Sequence, residues 1–164
     1  MDSNLNLTIG VKGQIKANAQ AMPLMEGYLK IGGIAGANLP FGIVGSAAPA
    51  DLTKIVAGCP TGNVPRGIVV YDDAIAQNAP AHASSYMQGL PCAVINHGAL
   101  VLESWTSTAA GSAAPTIGSK VIFNNTTGVI EFVPEATAVP SGWTQMTNVS
   151  VRDVTTDGVV LFIA

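Results

Sequence analysis

Charge is scarce in this chain: Asp, Glu, Lys and Arg make up 10% of its 164 residues, against roughly 25% in an ordinary soluble domain. The cations Lys12, Lys16, Lys30, Lys54, Arg66, Lys120 and Arg152 are scattered, and the formal net charge is −3. No basic run offers a footprint for a phosphate backbone, which argues against a nucleic-acid partner. The two cysteines, Cys59 and Cys92, are too few for a disulfide framework and read as reduced thiols. No apolar run approaches the roughly 20 residues a membrane-spanning helix needs. The opening "MDSNLNLTIGVKGQIKANAQ" lacks the charged-then-apolar order of a secretory signal. The expectation is a soluble protein folded in a cytoplasm, with no membrane partner. The sequons that begin at Asn6, Asn124, Asn125 and Asn148 then read as chance matches in a Thr- and Asn-rich chain.

What the chain does have is 48% hydrophobic residues broken by 18 Gly and 10 Pro. Residues 1–21 are polar, free of aromatics and weakly alternating through "LNLTIGV". They read as an extended N-terminal arm that is ordered on a partner. Residues 22–164 read as a single β-rich domain, long enough to enclose a core. There, apolar runs of four to eight residues are punctuated by Gly, Pro and Asn, the pattern of many short strands. The runs are "GYLKI" (27–31), "FGIVG" (41–45), "RGIVVY" (66–71), "PCAVI" (91–95), "ALVLES" (99–104), "KVIFN" (120–124), "GVIEFV" (128–133), "NVSVRDV" (148–154) and "GVVLFIA" (158–164). They predict an all-β fold, a compact antiparallel barrel or sandwich. "NNTTG" and "TTDG" supply the Asn, Asp and Gly that hairpin turns require, which places hairpins over 120–133 and 148–164. The continuous "VVLFI" predicts a central strand buried on both faces. One or two short helices are expected: one over "ADLTKIVAG", with Asp51 as N-cap and Gly58 as C-terminal stop, and one turn before Pro80. The segment 106–118, rich in Ala, Ser, Thr and Gly, reads as an exposed loop.

The residue types that perform chemistry do not assemble into a site. Asp72 and Asp73 end a predicted strand, where neighbouring side chains point to opposite faces, so turn or capping roles outweigh a metal pair. His82, Cys92 and His97, with Cys59, match no zinc-ligand spacing, and His97 reads as a turn residue before Gly98. No Gly-x-Ser-x-Gly is present, and Cys92 has no helix N-terminus to activate it as a partner for His97. The glycines of "KIGGIAGANLPFG" are not followed by a Lys-Ser/Thr pair and read as bulges and turns. The expectation is no catalytic residue, no metal and no cofactor. A chain with so little charge nevertheless avoids sticking if partners cover its surface. That favours an assembly component. Most aromatics read as core residues, but Trp105, beside the Ala/Ser loop, and Trp143, in "VPSGWTQM", stand outside the strand alternation and are candidate interface anchors.

The order "MPLMEGYLKIGGI", "PFG", "RGIVVYDD", "SYMQGLPCAVINHGALVLES", "KVIFNNTTGVIEF", "AVPSGW" and "GVVLFIA" resembles the structural cement, or decoration, proteins of tailed bacteriophage capsids. Met25-Glu26 stands where that pattern has a glycine, and the resemblance covers roughly residues 23–164, leaving the arm outside. It implies a non-enzymatic virion protein, made in the host cytoplasm, that binds the outer capsid surface at joints between major capsid protein subunits. It also implies a homotrimer, with a dimer as the alternative. The arm, through Leu5, Leu7 and Ile9, is expected to add a strand to an exposed sheet edge of the capsid protein or of a neighbour. The competing expectation is another virion component, such as a head fibre base, a tail-tube subunit or a host-glycan-binding module.

Overall fold

The computed structural model of the chain describes residues 29–71, 85–102, 105, 107–155 and 158–164. The arm, Asp72, Asp73, His82 and the helical turn expected before Pro80 lie outside the described residues.

Within these residues the chain is all β. Five strands close a barrel: β1 (Leu29–Ala35), β3 (Val44–Ala48), β4 (Asp51–Ala57), β5 (Val64–Val69) and β7 (Pro91–Leu102). They run in the order β1-β4-β3-β5-β7 and return from β7 to β1. All these pairs are antiparallel except β1–β4, which is parallel. The short β2 (Leu39–Pro40) and β6 (Ser85–Tyr86) pair with each other. β8 (Lys120–Asn124), β9 (Ile130–Val133) and β10 (Trp143–Gln145) form a second sheet in the order β10-β8-β9. β11 (Val149–Thr155) and β12 (Gly158–Ile163) extend the barrel sheet through β7.

A barrel of five strands has little interior, and Gly33 and Gly45 leave room for what fills it. A Cβ on Gly33 would stand 2.7 Å from Ile55 Cγ1, and one on Gly45 would stand 2.8 Å from Ile55 Cγ2. Ile55 is fully buried between the two glycine positions, and Gly45 also faces Val69 and Val94. Gly33 therefore serves interior packing within β1 rather than a turn. At one end of the core Phe41 stacks edge-on against both Tyr71 and Tyr86, at ring separations of 5.5 and 5.1 Å. The Tyr86 hydroxyl donates to the Val70 carbonyl at 2.8 Å, which satisfies its polar tip inside the protein.

Both hairpins form where the turn residues place them, and their strands pair in register. β12 is central between β7 and β11, although only one of its faces is fully buried, with Val160 and Phe162 half-exposed on the other. Further expectations fail. Residues 51–57 form β4, not a helix. β-branched Thr53, Ile55 and Val56 favour a pleated surface, and pairing with both β1 and β3 buries Ile55. Asp51 instead closes the β3–β4 turn, accepting from the Thr53 hydroxyl at 2.6 Å and the Thr53 amide at 3.1 Å. These two bonds, the hydroxyl first, hold its carboxyl below the ordinary 3.8. The run at 91–95 and the described part of the run at 99–104, up to Leu102, prove to belong to one 12-residue strand, β7. His97 lies within that strand, and Gly98, at φ 107°, lets β7 bend where its partners change from β1 and β5 to β12.

Candidate contact surface

The β8–β9 hairpin packs both of its faces. Val121, Phe123, Ile130 and Phe132 join the main core, while Ile122 and Val133 meet Ala109 in a second small cluster. Glu131 is paired with Ile122 on β8 and is fully buried. The charge is balanced by the segment that covers it. The Thr108 and Ala109 amides donate to its carboxylate, the latter at 2.7 Å, and the Thr108 hydroxyl makes a further bond to Oε1. Burial alone raises the pKa of such a carboxyl, but these donors outweigh it and hold the group below its ordinary 4.5.

The loop over 107–119 is held by backbone hydrogen bonds within itself and to β9. The Ser112 amide donates to Ala109 O, the Ala113 amide to Phe132 O and the Ser119 amide to Thr116 O. At the base of the loop, Lys120 Nζ donates to Thr137 O at 3.0 Å. Pro115 is buried. Near the tip, Ile117 and Gly118 occupy the central positions of the Thr116–Ser119 turn, with Gly118 at φ 94° as a type II turn requires. Ile117 is 73% exposed, more than any other large apolar side chain among the described residues.

The candidate anchors flank this hairpin. Trp105 is 36% exposed and meets Phe132 edge-on at 6.5 Å. Trp143 lies on β10, half-buried, and packs with Val139 on the Ala109, Ile122 and Val133 cluster. Leu5, Leu7 and Ile9 lie outside the described residues. The sequence reading missed Glu131, which looks like one polar residue in an alternating strand. It also missed Ile117, whose signal is a lone apolar side chain in an uncharged loop. Ile34, Met87 and Leu90 are also exposed, Ile34 on β1 opposite Pro91 of β7.

The residues considered for chemistry are dispersed. Cys92 is buried in the core, and burial pushes its thiol up to about 11. Cys59 is half-buried, and its Sγ lies 3.4 Å from Asn63 O. His97 is exposed and meets Phe162 edge-on. Among the described residues no group of three or more His, Cys, Asp or Glu is placed to hold a metal ion. A cavity of about 420 Å³ lies between the barrel and β10, lined by Arg66, Asn96, Phe123, Met146 and Ile163 among others, with no carboxylate or imidazole in its wall.

The chain matches the family described as structural cement protein (E217 gp24/Pam3 gp6) over residues 2–163. That span takes in the N-terminal segment, which the motif resemblance left out. No curated protein matches. Among solved structures, a chain of the capsid of Myoviridae phage XM1 is similar with a TM-score of 0.58. The two are 14% identical, and the match covers 92% of this chain and 88% of that one. At that identity the likeness is one of fold. Because the family pattern spans all but the terminal residues, the chain belongs to the structural cement protein family.

Proposed function

We propose that this chain is a non-enzymatic capsid decoration protein. It binds the outer surface of the shell at joints between major capsid protein subunits and stabilises the mature head. The observation that carries this reading is the family match over residues 2–163. A surface with few charges supports it, because such a surface can be covered by neighbours without stranding buried ions. A ligand that binds only the assembled shell stabilises that state by mass action, and many weak copies add up across one particle.

In this reading Trp105 and Trp143 contribute to contacts with the shell or between copies. The arm, through Leu5, Leu7 and Ile9, adds a strand to a neighbouring sheet edge. The protein is made in the host cytoplasm and docks as a homotrimer. Quantitative mass spectrometry of purified particles tests the whole proposal. A fixed, high ratio to the major capsid protein is expected, whereas a few copies per particle indicate a fibre or tail component. Deletion of residues 1–21 is expected to weaken shell binding; undiminished binding would remove the arm from the account.

A further inference from the structure

We propose that the cavity of about 420 Å³ between the barrel and β10 binds a carboxylate joined to a peptide N–H, as an acidic residue or a chain terminus of a peptide presents it. The proposal goes beyond the decoration reading and does not rest on it. Three observations meet at this one place.

The first is space. Ligand pockets commonly enclose about 300–1,000 Å³, and this cavity falls within that range. The paired strands β5 and β7 contribute Arg66 and Asn96 to its lining, and the segment 144–148 contributes most of the remaining polar groups. The second is charge. Arg66 is the single charged side chain in the lining, and none of the lining residues is acidic. A guanidinium does not shed its proton in a protein, so a half-buried cation stays in this wall without a carboxylate to balance it. Its planar fork of N–H donors matches the two oxygens of a carboxylate. The third is unmet hydrogen bonding. Arg66 Nε and Asn96 Oδ1 are both buried, and neither has a hydrogen-bond partner. Among the described residues no other buried side-chain nitrogen or oxygen is left in that state, and such atoms are rare in folded proteins because leaving them unpaired is costly. One is a donor and the other an acceptor, which decides the class of ligand. An acceptor-only anion such as acetate answers Arg66 and leaves Asn96 unmet. A carboxylate joined to an N–H answers both, its oxygens accepting from Arg66 and its N–H donating to Asn96. Each atom is out of contact with solvent where it stands, so binding turns the ends of the two side chains toward the cavity they line.

The test titrates the isotope-labelled full chain with a capped tripeptide carrying a central aspartate, a tripeptide with a free C-terminal carboxylate, the capped tripeptide with asparagine in place of the aspartate, and acetate. The Arg66 Nε–H and Asn96 side-chain amide resonances report occupancy. At least one carboxylate peptide is expected to shift both resonances saturably, with a Kd of roughly millimolar order, and to bind at least about tenfold more tightly than the asparagine peptide or acetate. Which of the two carboxylate peptides binds tells a side chain from a terminus. Arg66→Lys keeps the charge but loses the fork, and is expected to weaken binding about tenfold. Asn96→Ala is expected to remove the preference for the peptide over acetate. The thermal midpoint of each variant shows whether it is folded, and the parent's own titration decides the proposal if neither variant folds. If no probe shifts either resonance in the parent, water alone meets the two atoms and the proposal is overturned. If acetate or the asparagine peptide binds as tightly as the carboxylate peptides, the ligand class is wrong. If folded Arg66→Lys binds like the parent, the site lies elsewhere. None of these outcomes touches the decoration reading, which is tested on particles.

Discussion

Glu131 carries a charge in a buried place, and its covering loop helps to make that tolerable. A buried carboxylate left without its donors costs several kcal/mol, and here the loop supplies the Thr108 and Ala109 amides together with the Thr108 hydroxyl. Glu131→Gln replaces one acceptor oxygen by an NH₂ group that faces donors, and should destabilise the chain by about 1–3 kcal/mol in a urea titration. The same site predicts a pH dependence. Its folded pKa lies below the ordinary 4.5, so its contribution is complete above that value and is lost as pH falls through the depressed folded value. Stability of the parent should decline on acidification below about pH 4.5, and Glu131→Gln should flatten that decline. An unchanged acid limb in the variant would place the titration elsewhere.

Two further residues make predictions of their own. Gly67 sits at φ 135°, and a Cβ there would stand 2.2 Å from Ile95 O. Gly67→Ala combines a disfavoured backbone conformation with a clash against main chain, so at least about 2 kcal/mol of destabilisation is expected. A midpoint of urea unfolding equal to the parent's would refute it. Cys92 is sealed in the core with its thiol raised to about 11, so an aromatic disulfide reagent at pH 8 should leave it untouched until the chain is unfolded. Rapid reaction of both thiols in the native protein would contradict its placement.

At the scale of elements, the parts legible in the sequence are those decided locally. "NNTTG" and the Gly-bearing turn before "VVLFI" specify hairpins within a few residues of themselves, and both hairpins form. β4 was not legible, because Asp51 and Gly58 suit the two ends of a short helix as well as the two ends of a strand. The choice is made by β1 and β3, which flank β4 and bury Ile55 between them. β7 was read as two pieces because Gly98 punctuates it, although that glycine bends one strand across two sets of partners. Loop 107–119 was legible as a loop, but its fastening was not. The carboxylate that holds it lies in β9, beyond an intervening strand. In the candidate surface the tryptophans stand out in the sequence by size, whereas the exposure of Ile117 and the burial of Glu131 depend on how the hairpin and the loop pack.

At the scale of the whole molecule, the low charge, the closed barrel and the uncharged loop have one common consequence. A closed barrel leaves its five strands no free edge for indiscriminate pairing. β11 is the edge of the extended sheet, and a register shift between Val151 and Asp153 with Arg152 and Asp153 at the bulge blunts it. The Arg152 guanidinium lies 5.0 Å from the Phe162 ring centre, shielding part of that face. A surface of this kind can be covered by a neighbour without burying unpaired ions, which fits the proposed cement role.

The central claim is that the protein stabilises the assembled shell and not the isolated capsid subunit. The most direct measurement is the disruption temperature of stripped heads, followed by calorimetry as purified protein is added back. The account predicts a saturable rise in that temperature, with saturation at a fixed ratio to the major capsid protein and no rise for unassembled capsid subunits. A disruption temperature that stays constant while the protein binds to saturation would contradict it.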